Sequence, residues 1–333
     1  MKSALLYLEK MLKSRPPFVL VTGANGFVGS GLVARLVAEQ IPVRSVTRNS
    51  SGVHAKESEV FFIETLESVA NWEEALRDVE VVVHLAAKVH DMSKQSSNSI
   101  DDYRRINVEA TLNLANSALN NGVKRFIFLS SIKVNGESTV LGHPFTPDEE
   151  FVCPNDPYAI SKFEAEIGLR AIAARSKMEI VIIRAPLIYG PGVRANFLRM
   201  LQCVNLSIPF PLGCVKNKRS LVALENLVDL IVVCFYHPLA ANETFLVSDG
   251  HDVSTVEILQ LLASEMDRVL RVFPIPLSVL SFTLNLLGAR KIFDRLSDSL
   301  EVDISKTVDL LGWTPKISIY DAIHKVVLDY LKK

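Results

Sequence analysis

FVLVTGANGFVGSGLVARLVAE, from Phe18 to Glu39, sets an apolar run against a glycine-rich turn and then a stretch of helical periodicity. FVLVT (Phe18 to Thr22) is short, apolar and uninterrupted, which predicts a strand buried on both faces. Gly23, Gly26 and Gly29 follow, and FVGSGLVARLVAE (Phe27 to Glu39) predicts a helix. Glycines at such a junction allow a tight turn and let the backbone approach a pyrophosphate. The helix N-terminus adds exposed N–H groups and the positive end of its dipole. A purely structural turn would read the same way. Its place after the first buried strand of an alternating pattern favours a dinucleotide loop.

Working outward, the same grammar repeats. VRSVT (Val43 to Thr47), VFFI (Val60 to Ile63), EVVVHLAA (Glu80 to Ala87), RFIFLSS (Arg125 to Ser131) and EIVIIRA (Glu179 to Ala185) read as buried strands. A short helix around Trp72 to Leu76, a long one over Asp102 to Asn120 and one opening at Tyr158 lie between them. Alternating β and α segments with continuously apolar strands predict an α/β fold, a Rossmann-type doubly wound parallel sheet. After Gly190 the pattern loosens, and a late strand, TFLVSDG (Thr244 to Gly250), returns. The expected division is an arm over 1–17, a dinucleotide-binding domain over 18–190 with the returning strand near 244–250, and a smaller, interleaved substrate lobe over 191–333.

The 333 residues are 49% hydrophobic and 22% charged, so a large core is available and composition argues against disorder. A formal net charge of -1 argues against a nucleic-acid partner. Cys153, Cys203, Cys214 and Cys234 show no CxxC pair and no metal-ligand spacing, and read as buried free thiols of a reducing compartment. MKSALLYLEKMLKSRPP is broken by Glu9 and Lys10 before a signal core forms, and reads as a short helical arm or an overlong start rather than a signal peptide. PIPLSVLSFTLNLLG (Pro274 to Gly288) is too short and interrupted for a transmembrane span. It reads as a core or lid helix, with membrane-surface contact as the lesser alternative.

Two constellations carry chemistry. The second strand ends in VTRNSS, with no carboxylate for ribose hydroxyls. Thr47, Arg48 and the serines suit a 2′-phosphate instead, because guanidinium binds phosphate in a fork geometry. NADP(H) is therefore favoured, with NAD(H) left open; a solvated surface arginine is the bland alternative. The other constellation is PYAISK. Tyr158 and Lys162 stand at i and i+4 on one helix face, after a strand ending in Ser130 and Ser131 at the crevice-lining end of a parallel sheet. A phenol with a pKa near 10 is a poor base alone. An adjacent ammonium would stabilise its anion, letting Tyr158 move a hydroxyl proton while Ser131 holds the same oxygen.

With TGANGFVG, HLAA (His84 to Ala87), NVEAT from Asn107, LSSIKVNGE (Leu129 to Glu137), PYAISK, RAPLIYGPG (Arg184 to Gly192) and LGWTP from Leu311, nearly the whole chain resembles the extended short-chain dehydrogenase/reductase family, in its NAD-dependent epimerase/dehydratase branch. The resemblance implies a Rossmann domain with a nucleotide-sugar lobe, and a catalytic set of Ser131, Tyr158 and Lys162. It extends the cofactor site from the three glycines to Asn25, Phe27, Val28, Thr47, Arg48, Leu85, Ala86, Ala87, Asn107, Ser130 and Pro186. Asn196 and Arg219 resemble positions that hold the diphosphate of a nucleotide sugar, and Arg295 is a weaker third. Lys88 and His90 are given no role.

The implied activity is that of a cytoplasmic, homodimeric nucleotide-sugar oxidoreductase of bacterial surface-polysaccharide type, paired through the helices near 102–120 and 158–175. Reduction of a UDP-4-keto-6-deoxyhexosamine at C4 is the first reading and UDP-sugar C4 epimerisation the alternative. A steroid- or flavonol-type reductase and a non-catalytic NADP-binding regulator are more remote, since Asn196 and Arg219 suit a diphosphate and Tyr158 is retained. Three departures from the family pattern stand out: Asn135 replaces a common tyrosine, Leu187 a common asparagine, and Glu64-Thr65 a common Gly-Asp.

Overall fold

The unbroken apolar run of β1 (Val19–Thr22) is buried along its whole length, and the sheet is built around it. In this computed structural model, residues 15–48, 58–67, 72–89, 99–149, 156–288 and 290–332 are described. The expected arm lies outside them except for its last three residues, as do His90, Cys153 and the serines after Arg48. In chain order the first elements are α1 (Phe27–Ala38), β2 (Val43–Thr47), β3 (Glu59–Phe62), the single turn α2 (Glu73–Leu76) and β4 (Val81–His84). A composite helix follows, then β5 (Arg125–Ser131), α5 (Pro157–Ala174), β6 (Glu179–Ala185) and β7 (Leu187–Tyr189). Beyond these come α6 (Ala195–Asn205), β8 (Leu221–Ala223), α7 (Leu224–Tyr236), β9 (Thr244–Leu246) and α8 (Thr255–Glu265). The chain closes with α9 (Leu277–Leu286), α10 (Arg290–Ser297), α11 (Ser305–Leu311) and α12 (Ile319–Leu331).

The main sheet runs β3-β2-β1-β4-β5-β6-β9, all parallel. Strand order reverses between β1 and β4, and in an open α/β sheet that switch opens a crevice beyond the strand C-termini. One face is covered by α1 and α7, with Leu32, Leu36, Leu227 and Ile231 packed on Val19, Val83 and Val181. The other is covered by α5 and the composite helix, with Leu114, Ala118, Leu169 and Ile172 on Phe126 and Phe128. A separate apolar cluster joins Phe197, Leu201, Ile258, Leu262, Ile323 and Val326 of α6, α8 and α12. The late strand joins the main sheet beside β6, through Ile182–Thr244.

Four details depart from the sequence reading. β3 is exposed at both ends because it is the sheet's edge. The helix expected over 102–120 is α3 (Ile100–Tyr103), a π-helical stretch Arg104–Glu109 and α4 (Ala110–Asn120). Local π geometry inside a helix is rare and often accompanies functional sites. Cys234 is a buried thiol, but Cys203 and Cys214 are only half-buried. The apolar segment 274–288 is not a core helix: of the α9 residues, Leu280 is the one buried.

Candidate active site

The loop from β1 to α1 lies against the chain after β4, across the strand-order reversal. Gly23 has φ +69°, and a Cβ there would sit 2.9 Å from Ala86 N. At Gly29 a Cβ would come within 2.1 Å of Gly23 O. Gly26 caps α1 with no side-chain hydrogen bond, so the first-turn N–H groups stay available to an anion. This glycine-lined cradle fits a dinucleotide. Asn25 donates from Nδ2 to Thr47 Oγ1, tying the loop to the end of β2. Val28 is buried on α1 and Phe27 packs against both neighbouring cores. Leu85, Ala86 and Ala87 follow β4 directly, and Pro186 is buried between β6 and β7.

A buried polar relay fixes the floor of this crevice. Thr111 Oγ1 donates to Asn107 O at 2.8 Å, so it accepts from His84 Nε2 at 2.9 Å, and Nδ1 accepts from Thr22 Oγ1 at 2.7 Å. Burial, with the Lys162 charge adding to it, lowers the His84 pKa to about 3. Asn107 sits in the π-helical stretch, where it donates to Lys88 O and to Ser161 Oγ and accepts from Lys88 N. Its side chain therefore pins the strap after β4 to the helix of Tyr158. Lys88 itself pairs with Asp102 at 3.3 Å.

α5 begins where the sequence places it. Asp156 caps it by accepting from Tyr158 N at 2.9 Å, and Pro157 occupies the first turn, where a missing N–H costs nothing. The i, i+4, i+8 spacing then puts Tyr158, Lys162 and Glu166 on one face. The Ser131 side chain lies beside the Tyr158 phenol. Burial, followed by the nearby Asp156 carboxylate, pushes the phenol above its ordinary pKa, with the Ser131 hydroxyl opposing. Lys162 is 2% exposed and donates from Nζ to Leu129 O at 2.9 Å. Burial lowers its pKa to about 7, opposed by Glu166.

Ser130 was expected beside the cofactor, but the structure turns it elsewhere. Strand alternation gives it the face of Phe128, and its hydroxyl donates to Glu166 Oε1 at 2.5 Å. Glu166 is fully buried and takes a bidentate pair from Arg184, at 3.1 Å from Nε and 2.7 Å from Nη2. Arg184 also reaches Asn135 Oδ1 at 3.0 Å. The sequence reading missed Glu166 and Arg184 as a pair. The signal was present as a lone arginine near the end of an apolar strand and an acid two turns beyond Tyr158 on the same face.

The substrate-lobe candidates are less gathered. Arg219 is half-buried, and its Nη1 donates to Arg295 O at 3.2 Å and Asp298 O at 3.0 Å. Burial lowers its pKa, opposed by the Asp298 charge. Arg295 meets it through the main chain while its own side chain is exposed, and Asn196 is exposed on the first turn of α6. Arg48 is likewise exposed at the end of β2. Among the described residues no group of His, Cys, Asp and Glu could hold a metal ion.

Residues 19–248 match the NAD dependent epimerase/dehydratase family. The chain belongs to that family. It is 42% identical over 322 residues to a UDP-glucose 4-epimerase of Vibrio cholerae, covering 96% of this chain and 97% of the relative. It is 23% identical over 333 residues to the dTDP-4-dehydro-6-deoxyglucose reductase of Escherichia coli, covering 95% and 98%. The Bordetella bronchiseptica enzyme WbmG, solved in complex with NAD and UDP, shares the fold with a TM-score of 0.75, 20% identity and 96% of each chain covered. Members of the epimerase/dehydratase family are NAD-dependent enzymes, so the expected preference for NADP(H) finds no support in this membership. Within the family's common pattern, Asn135 has a visible role here: it joins Arg184 to the Thr146 carbonyl. Leu187 leaves an apolar, exposed surface where that pattern often has an amide.

Proposed function

We propose that this chain is a UDP-sugar C4 epimerase. The observation that carries the reading is the placing of Ser131, at the C-terminal end of β5, beside Tyr158, with buried Lys162 one turn below Tyr158. The identity to the Vibrio cholerae relative favours epimerisation over net reduction. A bound nicotinamide would supply the hydride acceptor and donor. Tyr158 carries the proton of the C4 hydroxyl away and returns it, while Ser131 holds that oxygen in place. When protonated, Lys162, one turn along the helix, would stabilise the phenolate against the burial that raises its pKa. The cofactor lies along the cradle of Gly23, Gly26 and Gly29, with Asn25, Phe27, Val28, Thr47, Leu85, Ala86, Ala87 and Pro186 around it. Residues 191–333 supply most of the nucleotide-sugar site. There Arg219, already anchored through Nη1, offers its other edge to the diphosphate, with Asn196 and Arg295 as further contacts. The enzyme pairs as a homodimer through α3 to α5.

A second reading, reduction of a UDP-4-keto-6-deoxyhexosamine, is favoured by one feature: β2 ends in Thr47 and exposed Arg48 with no carboxylate. A reductase uses one hydride per turnover and gains from the NADPH pool; an epimerase does not. Incubating UDP-glucose or UDP-N-acetylglucosamine without added cofactor should interconvert the C4 isomers. Stoichiometric NADPH loss on a 4-keto sugar nucleotide, with no isomer interconversion, would establish the reductase instead. Calorimetry of wild type and Arg48→Ala against NADH and NADPH decides the cofactor: equal losses for both would remove any 2′-phosphate contact.

A further inference from the structure

The outer face of α9 is as apolar as its inner face. Leu280 and Leu284 point inward onto the C-terminal core. Val279, Phe282 and Leu286, at i, i+3 and i+7, share the opposite face and are 51%, 65% and 71% exposed. Phe273 and Leu287 extend this exposed surface before and after the helix. A surface helix normally turns polar residues to water, and contiguous exposed apolar surface of this kind marks a docking site.

Its charge surroundings say what docks. From Asp267 to Asp294 the sequence holds four basic residues, Arg268, Arg271, Arg290 and Lys291, against the two acids that bound it, a net positive segment in a chain whose net charge is -1. Arg268 and Arg271 are exposed just before the apolar segment. Arg268 donates to the neutral Asn205 Oδ1 at 3.2 Å, while Arg290 shares its charge with Asp294 at 2.8 Å. A second copy meeting this patch about a two-fold axis would bring the same arginines towards one another, which like-charge repulsion opposes. An anionic lipid surface meets both demands: acyl chains for the apolar stripe and headgroup charge for its basic flank. No described helix is long and apolar enough to cross a membrane, so the contact lies along the surface.

We propose that α9 and its basic flank form a docking element that lays this enzyme on an anionic phospholipid bilayer. The inference is independent of the sugar and of the reaction direction. The test is co-sedimentation of the full-length, cofactor-loaded protein with vesicles of phosphatidylglycerol and phosphatidylethanolamine, against vesicles of phosphatidylcholine. Wild type should pellet with the anionic vesicles and lose that binding as salt is raised. A V279S/F282S/L286S variant should bind at least ~10-fold more weakly with an unchanged melting temperature, since all three side chains face solvent. An R268E/R271E variant should lose the preference for anionic lipid while keeping its fold. Absence of wild-type binding to anionic vesicles overturns the proposal. So does a wild-type dimer, seen by light scattering, that the triple serine variant dissociates, because the occupant is then a second copy.

Discussion

Lys162 Nζ donates to the main-chain oxygen of Leu129 at 2.9 Å, so the ammonium is held on β5. It also lies over the Phe128 ring, 4.3 Å from its centre. Such a cation is costly to bury, and its pKa falls to about 7. Because the unfolded lysine holds its proton up to about 10.5, it binds more protons than the folded one between pH 7 and 10.5. Stability therefore rises with pH across that window. Lys162→Met should be stabilised relative to wild type at pH 7, by an amount that shrinks towards pH 10. Urea denaturation at pH 7, 8.5 and 10 measures it; a pH-independent difference would contradict the buried-cation account. Turnover should fall by ~10²-fold or more in the same variant.

Tyr158→Phe removes the proton carrier and keeps the ring. Turnover should drop by at least ~10²-fold, with cofactor affinity by calorimetry unchanged. Ser131→Ala, which removes the hydroxyl beside the phenol, should cost about 10²-fold. Near-normal rates in the phenylalanine variant would displace the proton role from this residue.

Glu166 and Arg184 form a bidentate pair with almost no solvent access. Removing one partner of a buried pair strands the other. Arg184→Met should destabilise the fold by about 3–5 kcal/mol, since it leaves Glu166 the Ser130 hydroxyl and the half-exposed Arg170 in place of a buried bidentate partner. The double variant Glu166→Gln, Arg184→Met should recover at least half of that loss. Denaturant unfolding of the three proteins decides; no recovery in the double variant would mean the cost is packing rather than stranded charge.

Gly29→Ala places a methyl 2.1 Å from Gly23 O and 2.8 Å from Ala24 Cα, both backbone atoms. The loop must shift, costing roughly 1–3 kcal/mol and weakening dinucleotide binding by at least ~10-fold in calorimetry. Gly31→Ala is the matched control on the same helix. Its methyl meets the Leu224 side chain at 3.0 Å, which can move, so cofactor affinity should hold.

The sequence by itself determined the sheet and the helix of Tyr158. Phe18 to Thr22, Val43 to Thr47, Arg125 to Ser131 and Glu179 to Ala185 are short, mostly apolar runs that, alternating with helical segments, point to strands of a parallel sheet. The spacing of Tyr158 and Lys162 on one helix face follows from helix geometry alone. Tertiary structure decided what periodicity cannot carry. Ser130 and Ser131 are neighbours in sequence, but strand alternation and the position of α5 send one to Glu166 and the other to Tyr158. Glu166, Arg184 and Asn135 meet only because β5, β6 and α5 pack together, bringing residues far apart in sequence within hydrogen-bonding distance. The segment Pro274 to Gly288 looks like core by composition, yet its apolar residues outnumber what one packed face can bury. The fold covers Leu280 and leaves Val279, Phe282 and Leu286 in water.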